Sequence, residues 1–288
     1  MLFINNIFNN ILCIALPKPR LYICKFALLR KKITIMKQKI LANCLGIAML
    51  IVCQFCNAQK SVLVGIQGGA SIADLTGGSA SNPFSTGFSS KFGGDAGVVA
   101  SFQVKKKFSI QVEFNYSAQG ANKKGAQAVP VTYYNPNPTV DLPTVLYANL
   151  NTETKLNYFQ LPVLAKLSWP LQNGLSLFVN AGPYASVLVS AKTISSGVTQ
   201  FYKDAAQTSS ITQGQSYTIA VNEDAKYNYS TFNVGVQGGI GLQQKLYKGF
   251  ITFTAGGNYG FIPVQKNTAY GQNNTTAATL KVGYVIKL

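Results

Sequence analysis

Histidine is absent from all 288 residues, and both cysteine and arginine are absent beyond residue 58. Without histidine the chain lacks the commonest general base and the commonest metal ligand. Without cysteine, the part beyond residue 58 has neither disulfides nor thiolate metal sites. Its basic excess is all lysine, which argues against nucleic acid as a partner, because base reading and bidentate phosphate contacts favour the guanidinium group. Acidic side chains are scarce too, eight against 25 Lys and Arg, for a formal charge of +17. No catalytic residue, metal ligand or cofactor is expected from this composition.

The scarce residues are unevenly placed. Residues 1–58 hold all five cysteines, both arginines (Arg20, Arg30), eight of the 25 basic residues and no acid, so the remainder carries +9. A secretory signal starting at Met36 explains that boundary: Lys37 and Lys39 open it, an apolar run follows from Ile40 to Phe55, and Cys56-Asn57-Ala58 forms a small-x-small cleavage site. Residues 36–58 are therefore read as a signal peptide and 59–288 as the mature domain, beginning at Gln59. Residues 1–35 are read as an upstream extension from a misassigned start codon. A retained anchor competes for 40–55, but its 16 residues fall short of the roughly 20 a spanning helix needs. A lipoprotein signal at Cys53 also competes, with bulky Ile51 and Val52 where such signals carry small residues.

From Val62 to Leu288 the chain holds eight segments in which apolar and polar residues alternate, at 61–73, 92–104, 108–116, 153–169, 175–190, 228–243, 250–262 and 278–288. The cleanest is Phe108-Ser109-Ile110-Gln111-Val112-Glu113-Phe114-Asn115-Tyr116, with every even position apolar and every odd one polar. A strand so patterned turns one face to grease and the other to polar groups. The connections alternate as well: short turns at 105–107, 170–174 and 245–249, and longer polar loops at 74–91, 121–152, 191–227 and 263–275. Asn173-Gly174 supplies the positive φ angles that a tight turn uses. Prolines 130, 136, 138 and 143 exclude the 121–152 loop from a central ladder.

This pattern predicts an all-β fold, an eight-stranded antiparallel transmembrane β-barrel with four longer extracellular loops and three short periplasmic turns. Only helices and closed barrels satisfy every backbone group inside a bilayer, and a barrel strand crosses in about 9–11 residues. A soluble barrel would also alternate, but it would dress its outside in charge. Here the polar faces hold Gly, Ser, Gln, Asn and Thr, which suit the crowded interior of an eight-stranded barrel. Aromatics near the strand ends, Phe102, Phe108 and Trp169 on one side and Tyr116, Phe159, Tyr259 and Phe261 on the other, fit interfacial girdles.

Four charged residues fall on the inward faces: Asp95, Glu113, Lys166 and Lys281. They suit a neutralising interior network better than an ion or proton path, since an isolated buried charge costs several kcal/mol and must pair. Glu113 and Lys166, on adjacent antiparallel strands near one end, are the expected pair. The run Gly235-Val236-Gln237-Gly238-Gly239-Ile240-Gly241 is no phosphate loop, because alternation continues through it and no helix start follows. Its glycines make room for larger interior neighbours. Lys105-Lys106-Lys107 reads as a solvated turn at headgroup level, with a periplasmic partner as the alternative, and lysines near turns suit anionic lipid headgroups.

From Lys60 to Leu288 the sequence resembles the PorT-type outer-membrane β-barrel family of Bacteroidota. The carrying segments are Gly65-Ile66-Gln67-Gly68-Gly69, Tyr158-Phe159-Gln160-Leu161-Pro162-Val163-Leu164-Ala165-Lys166 and Ala181-Gly182-Pro183-Tyr184. The ending, Lys281-x-Gly283-x-x-Ile286-x-Leu288, resembles the signal read by the barrel-assembly machinery, with Leu in place of a final aromatic. The resemblance implies a cell outer-membrane location, outer-membrane lipids as surroundings, and passage through the assembly machinery during biogenesis. It implies no single activity. A non-enzymatic barrel presenting loops for structural, adhesion or partner-binding roles is the leading expectation. An accessory of a secretion or transport system, with an envelope protein partner, is the alternative. An outer-membrane enzyme is disfavoured by the missing histidine. If the cleavage reading holds, N-terminal sequencing of membrane-extracted protein begins at Gln59; a chain retaining Cys44 to Cys56 contradicts it.

Overall fold

The computed structural model describes residues 61–131 and 145–288. The expected signal peptide and upstream extension, and the prolines at 136, 138 and 143, lie outside these residues. Lys60–Leu288 forms one compact unit. Its strands are β1 (Val62–Thr76), β2 (Phe88–Ser89), β3 (Lys91–Lys105), β4 (Phe108–Pro130), β5 (Val145–Pro170), β6 (Leu175–Thr199), β7 (Tyr217–Asp224), β8 (Phe232–Leu246), β9 (Gly249–Gly260) and β10 (Asn274–Lys287).

Eight of these strands close on themselves. Pairing runs β4-β3-β1-β10-β9-β8-β6-β5, and β5 returns to pair with β4, every ladder antiparallel. A ring of strands leaves no open edge along its wall, which is what a bilayer requires. The three tight turns fall where alternation predicts them, between β3 and β4, β5 and β6, and β8 and β9. Asn173 (φ 56) and Gly174 (φ 75) supply the left-handed backbone of the second turn, and Tyr247 (φ 52) that of the third. The other rim carries the long connections.

The two faces of the ring are inverted relative to a soluble domain. Ile66, Phe92 and Leu280 point outward and are 67%, 74% and 66% exposed, while Gln111, Asn115, Ser117 and Gln160 are buried. An apolar outer surface of this extent matches hydrocarbon, not water. Aromatics cluster on it near the long-loop rim, where Phe114 stacks on Phe159 at 5.2 Å and Tyr259 lies 5.8 Å from Phe261. The glycine-rich run is mid-strand in β8, and its glycines are spacers: a Cβ at Gly241 would strike the Phe178 ring, and one at Gly235 the Tyr184 ring.

Strand lengths depart from the sequence reading. The 121–152 segment is mostly ladder, since β4 and β5 stay paired out to Pro130 opposite Val145. The 191–227 segment is also partly ladder, because β6 runs to Thr199 and β7 pairs along it from Lys192–Asp224 to Thr199–Tyr217. Pro130 is compatible with this as the final rung. These stretches look like loops because their outer faces are polar. Past the membrane rim the outside is wet, so alternation persists with its sign reversed: Val129, Leu146, Ala148 and Leu150 are buried, while Lys124, Asn149 and Asn151 are exposed.

The face assignment can be tested on β4. Val112 lies on the outer face, four residues from the turn-side end of the strand and opposite Ala100 and Val163 on its neighbours. That places it near the bilayer midplane. Lysine at Val112 should lower stability by about 2–4 kcal/mol in denaturant titrations of the bilayer-inserted protein. If lysine is tolerated equally at Ile110, Val112 and Phe114, the faces are assigned wrongly.

Candidate functional site

The interior of the ring is organised around the Glu113 carboxylate. Its Oε1 accepts from Gln111 Nε2 at 2.6 Å. Its Oε2 accepts from Gln67 Nε2 at 2.8 Å, Asn115 Nδ2 at 2.8 Å and Gln237 Nε2 at 3.3 Å. Lys281 Nζ stands 3.6 Å from the same oxygen. Gln67 Nε2 also donates to Asn115 Oδ1 at 2.9 Å, which ties the amides to one another. Both charged partners are almost wholly buried, at 3% and 8% side-chain exposure. A buried pair survives when further hydrogen bonds fill the carboxylate's remaining positions, and four amide donors do so here.

Lys166 does not take the role alternation suggests for it. Its ammonium donates to Gln243 Oε1 at 3.1 Å and lies 4.0 Å above the Phe178 ring. The reason is register: Lys166 pairs with Ser109, four residues from Glu113 along β4, roughly 13 Å of strand. Lys281 wins the carboxylate by reaching it from β10, two strands beyond β3. Glycines clear that path, since Gly69 stands between Lys281 and Asp95 in register, and a Cβ at Gly97 would collide with the Asn115 side chain. Asp95 is buried opposite Ser117 and lies within electrostatic reach of Lys281, and its Oδ2 has no hydrogen-bond partner among the described residues. Two carboxylates and two ammonium groups thus share the lumen, and their formal charges sum to zero.

Above this polar layer an apolar one closes the lumen on the long-loop side. Leu75, Ala121, Leu156, Tyr158, Leu188, Ala191 and Val264 pack together, with Phe88 and Tyr229 against them. Val264, Phe88 and Tyr229 come from three different connections, and Ser230 and Val264 are held by a backbone hydrogen bond of 2.7 Å. Lys123 lies at the edge of this layer, donating to the Pro83 carbonyl at 3.2 Å and facing the Phe88 ring at 5.0 Å. Burial pulls its ammonium down to about 8.

Beyond that seal, the long-loop ends of β4, β5 and β6 continue as a sheet to which β7 adds a fourth strand. One face carries a second apolar core of Val129, Val131, Leu146, Ala148, Leu150 and Phe201, covered by Ile211 and Ile219. Asp204 organises the covering segment by accepting from the Thr208 and Ser209 backbone at 2.9 and 2.8 Å, and these bonds hold its carboxyl below the ordinary range. β7 pairs only with β6, so its far edge is open among the described residues. Sequence reasoning missed Gln67, Gln237, Gln243 and Phe178 as partners of the interior charges, and it missed this sheet. The alternation of Val129 and Val131, and of Leu146, Ala148 and Leu150, was the available signal.

The family model described as outer membrane protein beta-barrel domain matches residues 57–266. Among solved structures, the chain is similar to Neisserial surface protein A (14% identity, 78% of this chain and 97% of that one, TM-score 0.37). It is similar also to Ail, the attachment invasion locus protein of Yersinia pestis, solved with the heparin analogue sucrose octasulfate (10%, 78% and 99%, 0.34). A third is the outer membrane protease OmpT from Escherichia coli (6%, 80% and 97%, 0.29). No curated protein matches the chain.

The interior geometry ranks two substitutions. Lys281→Met leaves the Glu113 carboxylate its four amide donors and should cost about 3 kcal/mol. Glu113→Leu strands four amides and an ammonium together and should cost about 5 kcal/mol. Urea titration of both variants in micelles checks the order; a costlier Lys281→Met would mean the carboxylate is not the hub.

Proposed function

We propose that this chain, which belongs to the outer membrane protein beta-barrel domain family, is a non-enzymatic barrel whose binding role is carried by the sheet and loops beyond its outer rim. The observation behind this reading is the contrast between a filled lumen and a built exterior. Inside, Glu113 and Lys281 pair among four amide donors and an apolar layer packs on the long-loop side, so the four interior charges act as filling and not as a conduction path. Outside, the chain invests in a second hydrophobic core and a four-stranded sheet that no bilayer requires. The open edge of β7 offers unpaired backbone donors and acceptors to an extended partner segment. The missing histidine, and the engagement of Glu113 by four amides and a lysine, speak against hydrolytic chemistry.

A second reading, an accessory of a secretion or transport system, draws on the resemblance of Tyr158–Lys166 to PorT-type barrels. Affinity capture from native membranes through a tag in 203–215 separates the two, because discrete secretion components would co-purify only under the second.

Deleting residues 196–222 removes the last four residues of β6, all of β7 but its final two residues and the covering segment, and leaves the eight-stranded ring below. The variant should remain a heat-modifiable, membrane-inserted barrel while losing binding to cells or surface partners. Neither form should conduct well. A large, stable single-channel conductance in planar bilayers, unchanged by the deletion, would make the protein a pore.

A further inference from the structure

Charge is distributed very differently at the two rims. On the long-loop side acids stand beside some of the lysines: Glu153 lies 3.6 Å from Lys91 and 3.2 Å from Lys155, and Asp224 is opposite Lys192 in register, while Lys124, Lys203 and Lys266 form no ion pair among the described residues. At the tight-turn rim six lysines, Lys105, Lys106, Lys107, Lys245, Lys248 and Lys287, are all exposed. No Asp or Glu occurs in the strand ends and turns of that rim, at 61–66, 102–110, 168–178, 243–252 and 284–288. None of the six forms an ion pair among the described residues.

The six lie on one arc. Lys105 ends β3, Lys106 and Lys107 form the turn to β4, Lys287 ends β10, Lys245 is near the end of β8 and Lys248 is in the β8–β9 turn, so they are spread along the rim from β4 to β8, with none on β1 between them. The remaining turn, Pro170–Gly174, is uncharged. Exposed apolar and amphipathic side chains lie at the same level: Leu246, Tyr247 and Leu288 are 45%, 92% and 75% exposed. Apolar side chains interleaved with ammonium groups on one rim match the boundary where acyl chains meet headgroups.

We propose that this rim is a binding surface for acidic phospholipid headgroups of the leaflet facing the periplasm. The placement of the rim rests on the outer-membrane barrel reading. Six like charges held on one arc repel one another and attract counter-ions, and headgroup phosphates are the anions that the neighbouring leaflet supplies at that depth. Lysine suits the task because a flexible, strongly hydrated ammonium follows a mobile phosphate without demanding a fixed bidentate geometry.

The chain carries its own reporter. Trp169 is its single tryptophan and is partly exposed. It lies beside the lysine turn, where the Ser168 amide donates to the Lys107 carbonyl at 2.8 Å. The barrel is reconstituted in phosphatidylcholine vesicles containing brominated phosphatidylglycerol or brominated phosphatidylcholine, and Trp169 quenching is measured. Phosphatidylglycerol should be enriched at the rim about fivefold over phosphatidylcholine, and salt should erode that preference. Replacing Lys105, Lys106 and Lys107 with Gln should bring the ratio near one, with heat-modifiable mobility confirming insertion. If that variant fails to insert, the salt titration of the unaltered protein decides. Equal quenching by both lipids, or a preference that survives the substitutions or high salt, overturns the proposal. So does binding to isolated cell-wall sacculi without lipid preference, which would assign the lysines to an anionic polymer. Failure of insertion by the unaltered protein would instead count against the barrel reading itself.

Discussion

Backbone amides inside hydrocarbon have no water to bond, so each must find a partner in the protein, and the pairing of β5 with β4 that completes the ring is the contact on which the rest depends. Broken there, two strands would expose rows of donors and acceptors to lipid at several kcal/mol per group. Closed, the wall imposes a narrow lumen that side chains must fill and an outer surface that lipid must accept. The polar interior, the apolar exterior and the glycines that let Phe178 and Tyr184 fit inside all answer to that closure.

A narrow lumen makes buried charge a structural question. Glu113 is tolerable because amides from β1, β4 and β8 converge on it and Lys281 balances it. Its donors come from separated strands, so the network also links distant parts of the wall. Lys166 is stabilised differently, by one amide oxygen and the face of an aromatic ring, which attracts a cation in a poorly hydrated site. The apolar layer above these groups separates them from the outer rim and leaves the exterior free to diverge in shape.

Beyond that layer the constraints change. The long-loop ends of β4, β5 and β6 leave the bilayer, water surrounds them, and they fold by the rules of an ordinary soluble sheet with an apolar core on one side. The tight-turn rim differs again, with lysines that form no ion pair among the described residues beside exposed aromatic and aliphatic side chains. One continuous set of strands therefore passes from hydrocarbon into water, and its side chains change character at that boundary.

The sequence by itself determined the all-β class, the eight wall strands, the three tight turns and which face of each strand is polar, because a period of two is local and is set by the solvent on either side. It also marked Asp95, Glu113, Lys166 and Lys281 as inward. Tertiary structure alone decided their partners, because a partner depends on register and tilt, and Ser109 opposite Lys166 is a fact about two strands that neither contains. It alone decided that 121–130 and 145–152 are strand, since their polar outer faces hide an alternation whose sign reverses outside the membrane. The seal across the lumen was likewise invisible in the chain: Phe88, Tyr229 and Val264 lie far apart in sequence and meet only because the ring brings three loops over one opening.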